Sequence, residues 1–197
     1  MRRKRTVFFL SVGILCILVS ACMAGYNLWD EQRAANLAAA NVTELRALMP
    51  KAKPPERQPI VPEPQVMMTS VRVENEGYVG ILDIPALELS LPIRDQWSEE
   101  LLRDSPCLYT GNLYDGMVIA GHNYRAHFGG LNKLVPGDSV SMTDPDGNVW
   151  RYTVELMEVI AGYDVDTMLS GDWDLTLFTC TRSGSERYTL RCTLETK

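Results

Sequence analysis

Three side chains in the C-terminal part of this 197-residue chain are of the types that acyl transfer at a thiol requires. Cys180 ends the apolar run Asp174-Leu-Thr-Leu-Phe-Thr-Cys180 and precedes the polar, Gly-containing stretch Thr181-Arg-Ser-Gly-Ser-Glu186. A side chain at a strand end beside a loop is held rigidly yet can meet a ligand. His122 has the same kind of place, after the apolar strand in Ile119-Ala-Gly-His-Asn123. Arg187 opens the next alternating segment, in which Arg187, Thr189 and Arg191 face one way and Tyr188, Leu190 and Cys192 the other. The thiolate is the reactive form of a cysteine, and a free thiol of pKa ~8.5 is only a few per cent ionised at neutral pH. An imidazole nearby can move the proton, and an arginine, which keeps its charge, can stabilise an oxyanion or hold a substrate backbone.

Each of these residues has a structural alternative. Cys180 could be a buried packing thiol and His122 a loop histidine, while Arg182 and Arg191 compete with Arg187. His127, in Arg125-Ala-His-Phe-Gly129, reads as structural or substrate-lining. Of the five cysteines, Cys16 and Cys22 fall in an apolar N-terminal run, leaving Cys107, Cys180 and Cys192 in the remainder, so at least one thiol there lacks an intramolecular partner. No Cys-x-x-Cys spacing exists and there are only two histidines, so neither a metal site nor a cofactor is expected.

The elements that must position these groups are short apolar segments separated by turns. Residues 78–84, 87–93, 117–120, 139–143, 149–159, 175–179 and 188–194 read as strands, and 97–103 as one short helix. Asp144-Pro-Asp-Gly-Asn148 reads as a hairpin turn, since it lacks the spaced ligands and closing Glu of a calcium loop. Seven or eight strands in about 120 residues predict an all-β domain, closed or nearly closed as a barrel.

Arg2, Arg3, Lys4 and Arg5 precede an apolar run from Val7 to Gly25, and the first charges beyond it are Asp30 and Glu31. Nineteen residues at ~1.5 Å each span roughly the hydrocarbon core of a bilayer. Basic before and acidic after predicts a single-pass anchor in the plasma membrane, N-terminus in the cytoplasm and the rest outside. Val19-Ser20-Ala21-Cys22 offers the alternative of a lipoprotein lipidated at Cys22. Residues 1–26 are thus expected to be a basic end and anchor, and 27–49 a helical juxtamembrane stalk with Leu37, Val42, Leu45 and Leu48 near helical spacing. Residues 50–70, with six prolines, are expected to be a spacer, and 71–197 the catalytic barrel. Residues 1–75 carry ten Lys/Arg against six Asp/Glu, and the remainder nine against nineteen. A strongly acidic exported part argues against nucleic acid as a partner.

Thr176-Leu-Phe-Thr-Cys180, with Arg187 seven residues beyond Cys180, resembles the TLxTC…R signature of the sortases. Ile119-Ala-Gly-His-Asn123 is similar to their histidine motif, and Tyr78-Val-Gly-Ile-Leu-Asp-Ile-Pro85 with Leu91-Pro-Ile to their first strands. The resemblance, over about residues 76–197, implies an eight-stranded barrel and a cysteine transpeptidase. Such an enzyme cuts a C-terminal LPxTG-like sorting signal on secreted proteins. It joins the new carboxyl end to an amine of peptidoglycan or its lipid-linked precursor, at a Gram-positive-type cell surface. It also implies Cys180, His122 and Arg187 as catalytic residues, with Thr179 and Asn123 as substrate contacts. The short Cys-to-Arg loop departs from the pattern. No N-terminal lid motif and no second membrane segment are seen, which points away from pilin polymerisation. The rival class is a membrane-tethered binding module without catalysis. Two further expectations concern the exported part. Cys107 and Cys192 either form a disulfide or are buried apolar fillers. A fragment 71–197 should fold and act alone.

Overall fold

In the computed structural model, residues 2–51 and 68–195 are described, with only the backbone of residues 2–8. The alternating segments form β1 (Val71–Val73), β2 (Glu76–Ile84), β3 (Leu89–Arg94), β4 (Cys107–Asn112) and β5 (Asp115–Ala120). They continue as β6 (Ser139–Thr143), β7 (Val149–Ala161), β8 (Leu175–Cys180) and β9 (Glu186–Leu194). The sheet order is β1-β2-β3-β4-β5-β8-β9-β7-β6, and pairing of β2 with β6 closes β2 to β9 into an eight-stranded barrel, with β1 as an extra strand on β2. Closure leaves the barrel with no open edge. Its interior is one apolar core that includes Leu82, Ile93, Ile119, Tyr152, Leu177 and Leu190. Alternation with period 2 sends every second residue of each strand into it.

The β6–β7 turn is built as its sequence demands. The Asp144 carboxylate accepts from the backbone N–H of Asp146 and Asn148, from the Asn148 amide and from Trp150 Nε1. The acceptor positions of this buried carboxylate face donors of its own turn and of the start of β7, which is why it sits at a hairpin and not in a cation loop.

Besides the three-residue edge strand β1, two elements escaped the sequence reading. The segment before the His122 strand is not a loop but β4, paired antiparallel with β5, with Leu108 opposite Ile119. The second is the five-residue helix α2 (Val165–Leu169), capped by Asp164, which accepts from Thr167 N and Thr167 Oγ1. The short helix expected around 97–103 is a 3-10 turn at Leu101–Arg103.

The possible disulfide does not form. Cys107 and Cys192 are both free and fully buried. Cys107 opens β4 beside β3, whereas Cys192 lies in β9 opposite Val154 and Leu175, so different strands enclose each sulfur. Burial pushes the two thiols up, to about 11 and about 12, which keeps them protonated and unreactive.

A single helix, α1 (Arg2–Leu48), runs without a break through both the expected anchor and the expected stalk. Pro50 stops it, because the residue before a proline is driven out of the helical region. From Phe9 to Trp29 its residues are exposed, and this part is apolar and long enough to cross a membrane. From Asp30 on, the helix lies against the barrel. Ala34, Ala38, Val42, Leu45 and Met49 form a buried stripe, and the last three pack on Val73, Tyr78 and Ile81 of the outer face of β1 and β2. Leu37 and Leu48, expected on that stripe, are exposed. Polar contacts flank the stripe: Asn41 donates to the Tyr78 hydroxyl, and Arg46 pairs with Asp83 and donates to Ser90. The 27–49 segment is therefore a docked element and not a free stalk. The spacer expected at 50–70 lies mostly outside the described residues.

The docked helix changes the expectation for the fragment 71–197. Each large aliphatic side chain fully buried in the contact contributes about 2 kcal/mol, and removing α1 exposes both sides of it. A fragment 27–197 is expected to melt at least about 5 °C above 71–197, and Leu45→Ala to cost the longer one about 2 kcal/mol. Equal melting temperatures for the two fragments would show that the helix adds nothing to the barrel.

Candidate functional site

β5 and β8 are parallel neighbours, with Val118 beside Thr176 and Ala120 beside Phe178. The ladder continues one step further, where Gly121 N donates to Phe178 O at 3.0 Å. Extending that register two residues brings His122 alongside Cys180, with backbones roughly 5 Å apart, the spacing of adjacent strands. On the other side of β8, Cys180 is directly opposite Arg187 in the antiparallel β8–β9 pair. The three expected residues thus stand in a row across β5, β8 and β9. Their side of the sheet is the outer face, shared with Val118, Ala120 and Phe178, which pack with Met168 of α2 away from the barrel interior.

The same pairing separates the three arginine candidates. Arg191 is 2% exposed and fully engaged: Nε to Glu158 at 2.8 Å, Nη1 to Thr176 Oγ1 and Met168 O, and Nη2 to Thr167 O. It satisfies carbonyls at the C-terminal end of α2, groups a helix cannot pair for itself, and so fastens α2 to the sheet. Arg182 is exposed in the loop. Arg187 is half-buried, and among the described residues its guanidinium bonds only to the Gly184 and Glu186 carbonyls, so other donors remain for a ligand. A Cβ on Gly162 would come within 2.9 Å of that guanidinium, so glycine there gives it room.

Parity of the pleat decides Thr179. One residue from Cys180, its side chain turns inward with Leu175 and Leu177 and is fully buried, and its hydroxyl has no hydrogen-bond partner. The side chain expected to touch substrate therefore faces the barrel interior, opposite to Cys180. Asn123 follows His122 directly, and its side chain favours the protonated form of the imidazole.

His122 begins a compact loop. Its carbonyl accepts from Phe128 N, and the Tyr124 carbonyl accepts from His127 N and Gly129 N. A Cβ on Gly121 would meet the Phe128 ring at 2.3 Å, so only glycine lets that ring close beneath the histidine. Burial lowers the His122 pKa, with the Arg103 charge acting in the same direction and Asn123 and Asp30 opposing. At neutral pH the imidazole is mostly neutral and free to accept a proton. His127 is fully buried with neither ring nitrogen partnered, and burial brings its pKa down to about 4. It is a neutral packing residue behind the site.

Two residues at the site were not singled out. The Tyr124 ring stacks on His122, centroids 4.3 Å apart and planes 4° from parallel. Asp30, read from sequence only as a topology signal, accepts from the Tyr124 hydroxyl at 2.5 Å. An aromatic two residues beyond the histidine was a visible signal, but a contact spanning 94 residues was not. Among the described residues no group of His, Cys, Asp or Glu is placed to hold a metal ion.

Comparison with known proteins follows the same outline. The sequence model of the Sortase domain matches residues 82–195, more than half of the chain. Among solved structures, the chain is similar to a Clostridium perfringens sortase D5 transpeptidase at 22% identity and a TM-score of 0.54, over 60% of this chain and 79% of that one. Sortase A from Corynebacterium diphtheriae is similar at 21% identity and a TM-score of 0.56, over 62% of each chain. Clostridium perfringens sortase C, solved with a C-terminal cell wall sorting motif, is similar at 23% identity and a TM-score of 0.54, over 61% of this chain and 71% of that one. No curated protein matches the chain.

The contrast between the two strand arginines is directly measurable in denaturant. Arg191→Met strands the buried ends of α2 and is expected to cost about 3 kcal/mol. Arg187→Ala, which removes two bonds to exposed loop carbonyls, is expected to cost under about 1 kcal/mol. A reversal of that order would mean that Arg187, and not Arg191, is the structural arginine.

Proposed function

Because this chain belongs to the sortase family of transpeptidases, we propose that Cys180, His122 and Arg187 carry its acyl transfer, acting on the C-terminal sorting signals of secreted proteins. The observation that carries this reading is the pairing of Cys180 with Arg187 and of Ala120 with Phe178, a register that brings His122, two residues beyond β5, towards Cys180 on the outer face where a peptide can lie. Family membership sets aside the non-catalytic binding module.

In the proposed reaction Cys180 Sγ attacks the carbonyl carbon of the scissile peptide bond while its proton passes to neutral His122. The oxyanion that forms lies within the field of the Arg187 guanidinium. Collapse breaks the C–N bond, His122 returns the proton to the leaving amine, and a thioester to Cys180 remains. An acceptor amine then attacks the thioester and gives its proton to His122. The new amide departs and Cys180 regains its hydrogen. Asn123, next to His122 in the chain, favours the protonated imidazole that each half-reaction passes through.

The substrate is read as an LPxTG-like signal and the acceptor as an amine of peptidoglycan or its lipid-linked precursor. The site's height supports both. Asp30, which touches the loop of His122, is five residues beyond the last residue of the apolar run, or about 8 Å along the helix axis. A catalytic face held that close to the bilayer suits a donor and an acceptor that are both still held in the membrane. With the basic residues 2–5 on the cytoplasmic side, the barrel lies outside, at a Gram-positive-type surface.

The test is turnover of a fluorogenic LPxTG-containing peptide by the full chain in detergent micelles, with and without an added amine. Cys180→Ala is expected to abolish both cleavage and joining while leaving the melting temperature within a few degrees, and Arg187→Ala to lower kcat/KM at least about 100-fold. Wild-type turnover by Cys180→Ala would remove the reading.

A further inference from the structure

The membrane helix reaches the site through two consecutive residues. Asp30 Oδ2 accepts from the Tyr124 hydroxyl at 2.5 Å, and Glu31 Oε1 accepts from Arg125 N at 2.8 Å. Asp30 is itself fixed by Arg33, whose Nε and Nη2 lie 3.2 and 3.1 Å from Asp30 Oδ1. Arg33 Nη1 then reaches Asp104 Oδ1, beside the 3-10 turn, at 2.8 Å. The far end of this chain of contacts is the Tyr124 ring lying flat on the His122 imidazole.

We infer that Asp30 and Tyr124 are positioning residues, through which the membrane-anchored helix sets the plane of the His122 imidazole. The inference rests on the proposed role of His122 as the proton carrier. An imidazole moves a proton well only when its nitrogen lies on the line between donor and acceptor. A ring stacked 4° from parallel limits tilting of the imidazole, and the hydroxyl bond to Asp30 in turn holds the stacking ring. Nothing within the loop holds that hydroxyl, so without α1 the ring keeps its contact but loses its anchor. Asp30 also places a carboxylate near the imidazole. The charged and titratable groups around His122 are Asp30, Glu31 and Arg33 on α1, Arg103 and Asp104 at the 3-10 turn, Tyr124, Arg125 and His127 in its own loop, and Cys180 on β8. Of these, Arg103 disfavours and Asp30 favours the imidazolium.

The anchor is thus part of the working site and not only a tether. The experiment uses the full chain in detergent micelles and compares Asp30→Asn, Tyr124→Phe and the double variant. Asparagine still offers an oxygen to the tyrosine but carries no charge, and phenylalanine keeps the stack but has no hydroxyl. Each single variant is expected to lower kcat roughly tenfold with KM within about twofold of wild type, and the double to be no worse than either alone. Removing the carboxylate also removes support for the imidazolium. In Asp30→Asn the His122 limb of the pH profile is therefore expected to move to lower pH. Arg46→Gln, which loosens α1 at its other end, is expected to leave kcat and the pH profile unchanged. Melting temperatures near wild type for all four variants exclude unfolding as the cause. Wild-type kcat and pH profile in both single variants would overturn the inference. A wild-type chain that turned over no sorting peptide would instead count against the proposed function. The His122 titration followed by NMR would still decide the positioning: a curve unmoved by Asp30→Asn overturns it.

Discussion

The parallel pairing of β5 with β8 is the constraint on which the site depends. Ala120 and Phe178 are neighbours in that ladder, so His122 and Cys180, each two residues further on, come to the same end of the sheet. Parallel strands cannot be joined by a tight turn, so the chain must cross over between them. Here the crossover holds β6, β7 and α2, and it is also what closes the barrel, since β6 pairs with β2 and β7 with β9. Bringing the histidine to the cysteine and closing the core are therefore one topological event. Arg187 needs only the short return into β9 to arrive opposite Cys180.

Around that row the molecule divides its charges by task. Arg191 is spent on structure, holding the C-terminal carbonyls of α2 and the Glu158 carboxylate. Arg94 pairs with Glu76 and approaches Asp104, which is also the partner of Arg33 on α1. This network links the 3-10 turn, the first strands and the membrane helix on the side where His122 lies. The apolar stripe from Ala34 to Met49 gives the helix its adhesion, and the ion pairs give it one rotational setting. A buried contact between the C-terminal half of α1 and the barrel means that the direction in which the apolar half of the helix leaves the barrel is fixed by packing and not by a flexible stalk.

Much of this was legible in the residues. Alternation located seven of the strands, the acidic turn at Asp144 named its hairpin, and Cys180, His122 and Arg187 were visible as polar groups at the ends of apolar runs. The parity that places Thr179 inside was equally available, since an odd offset from Cys180 always reverses the face. Other features were not. Pro106 and the positive-φ Gly111 hid β4, which looks like a loop until β5 pairs with it. α2 is too short to announce itself and depends on Arg191, more than twenty residues away in sequence. The docking face of α1 begins with two alanines, whose small side chains carry little hydrophobic signal although they allow close approach. The Asp30–Tyr124 bond belongs to tertiary structure alone.

The central claim is that Cys180 becomes acylated beside a histidine held in place for proton transfer. Intact-mass analysis of the full chain, quenched in acid during turnover of a sorting-signal peptide without added amine, tests it directly. The account predicts one adduct equal to the acyl half of the peptide, mapped to Cys180, absent in Cys180→Ala and discharged when an amine is supplied. An adduct on Cys107 or Cys192, or peptide cleavage with no adduct in wild type and undiminished in Cys180→Ala, would contradict it.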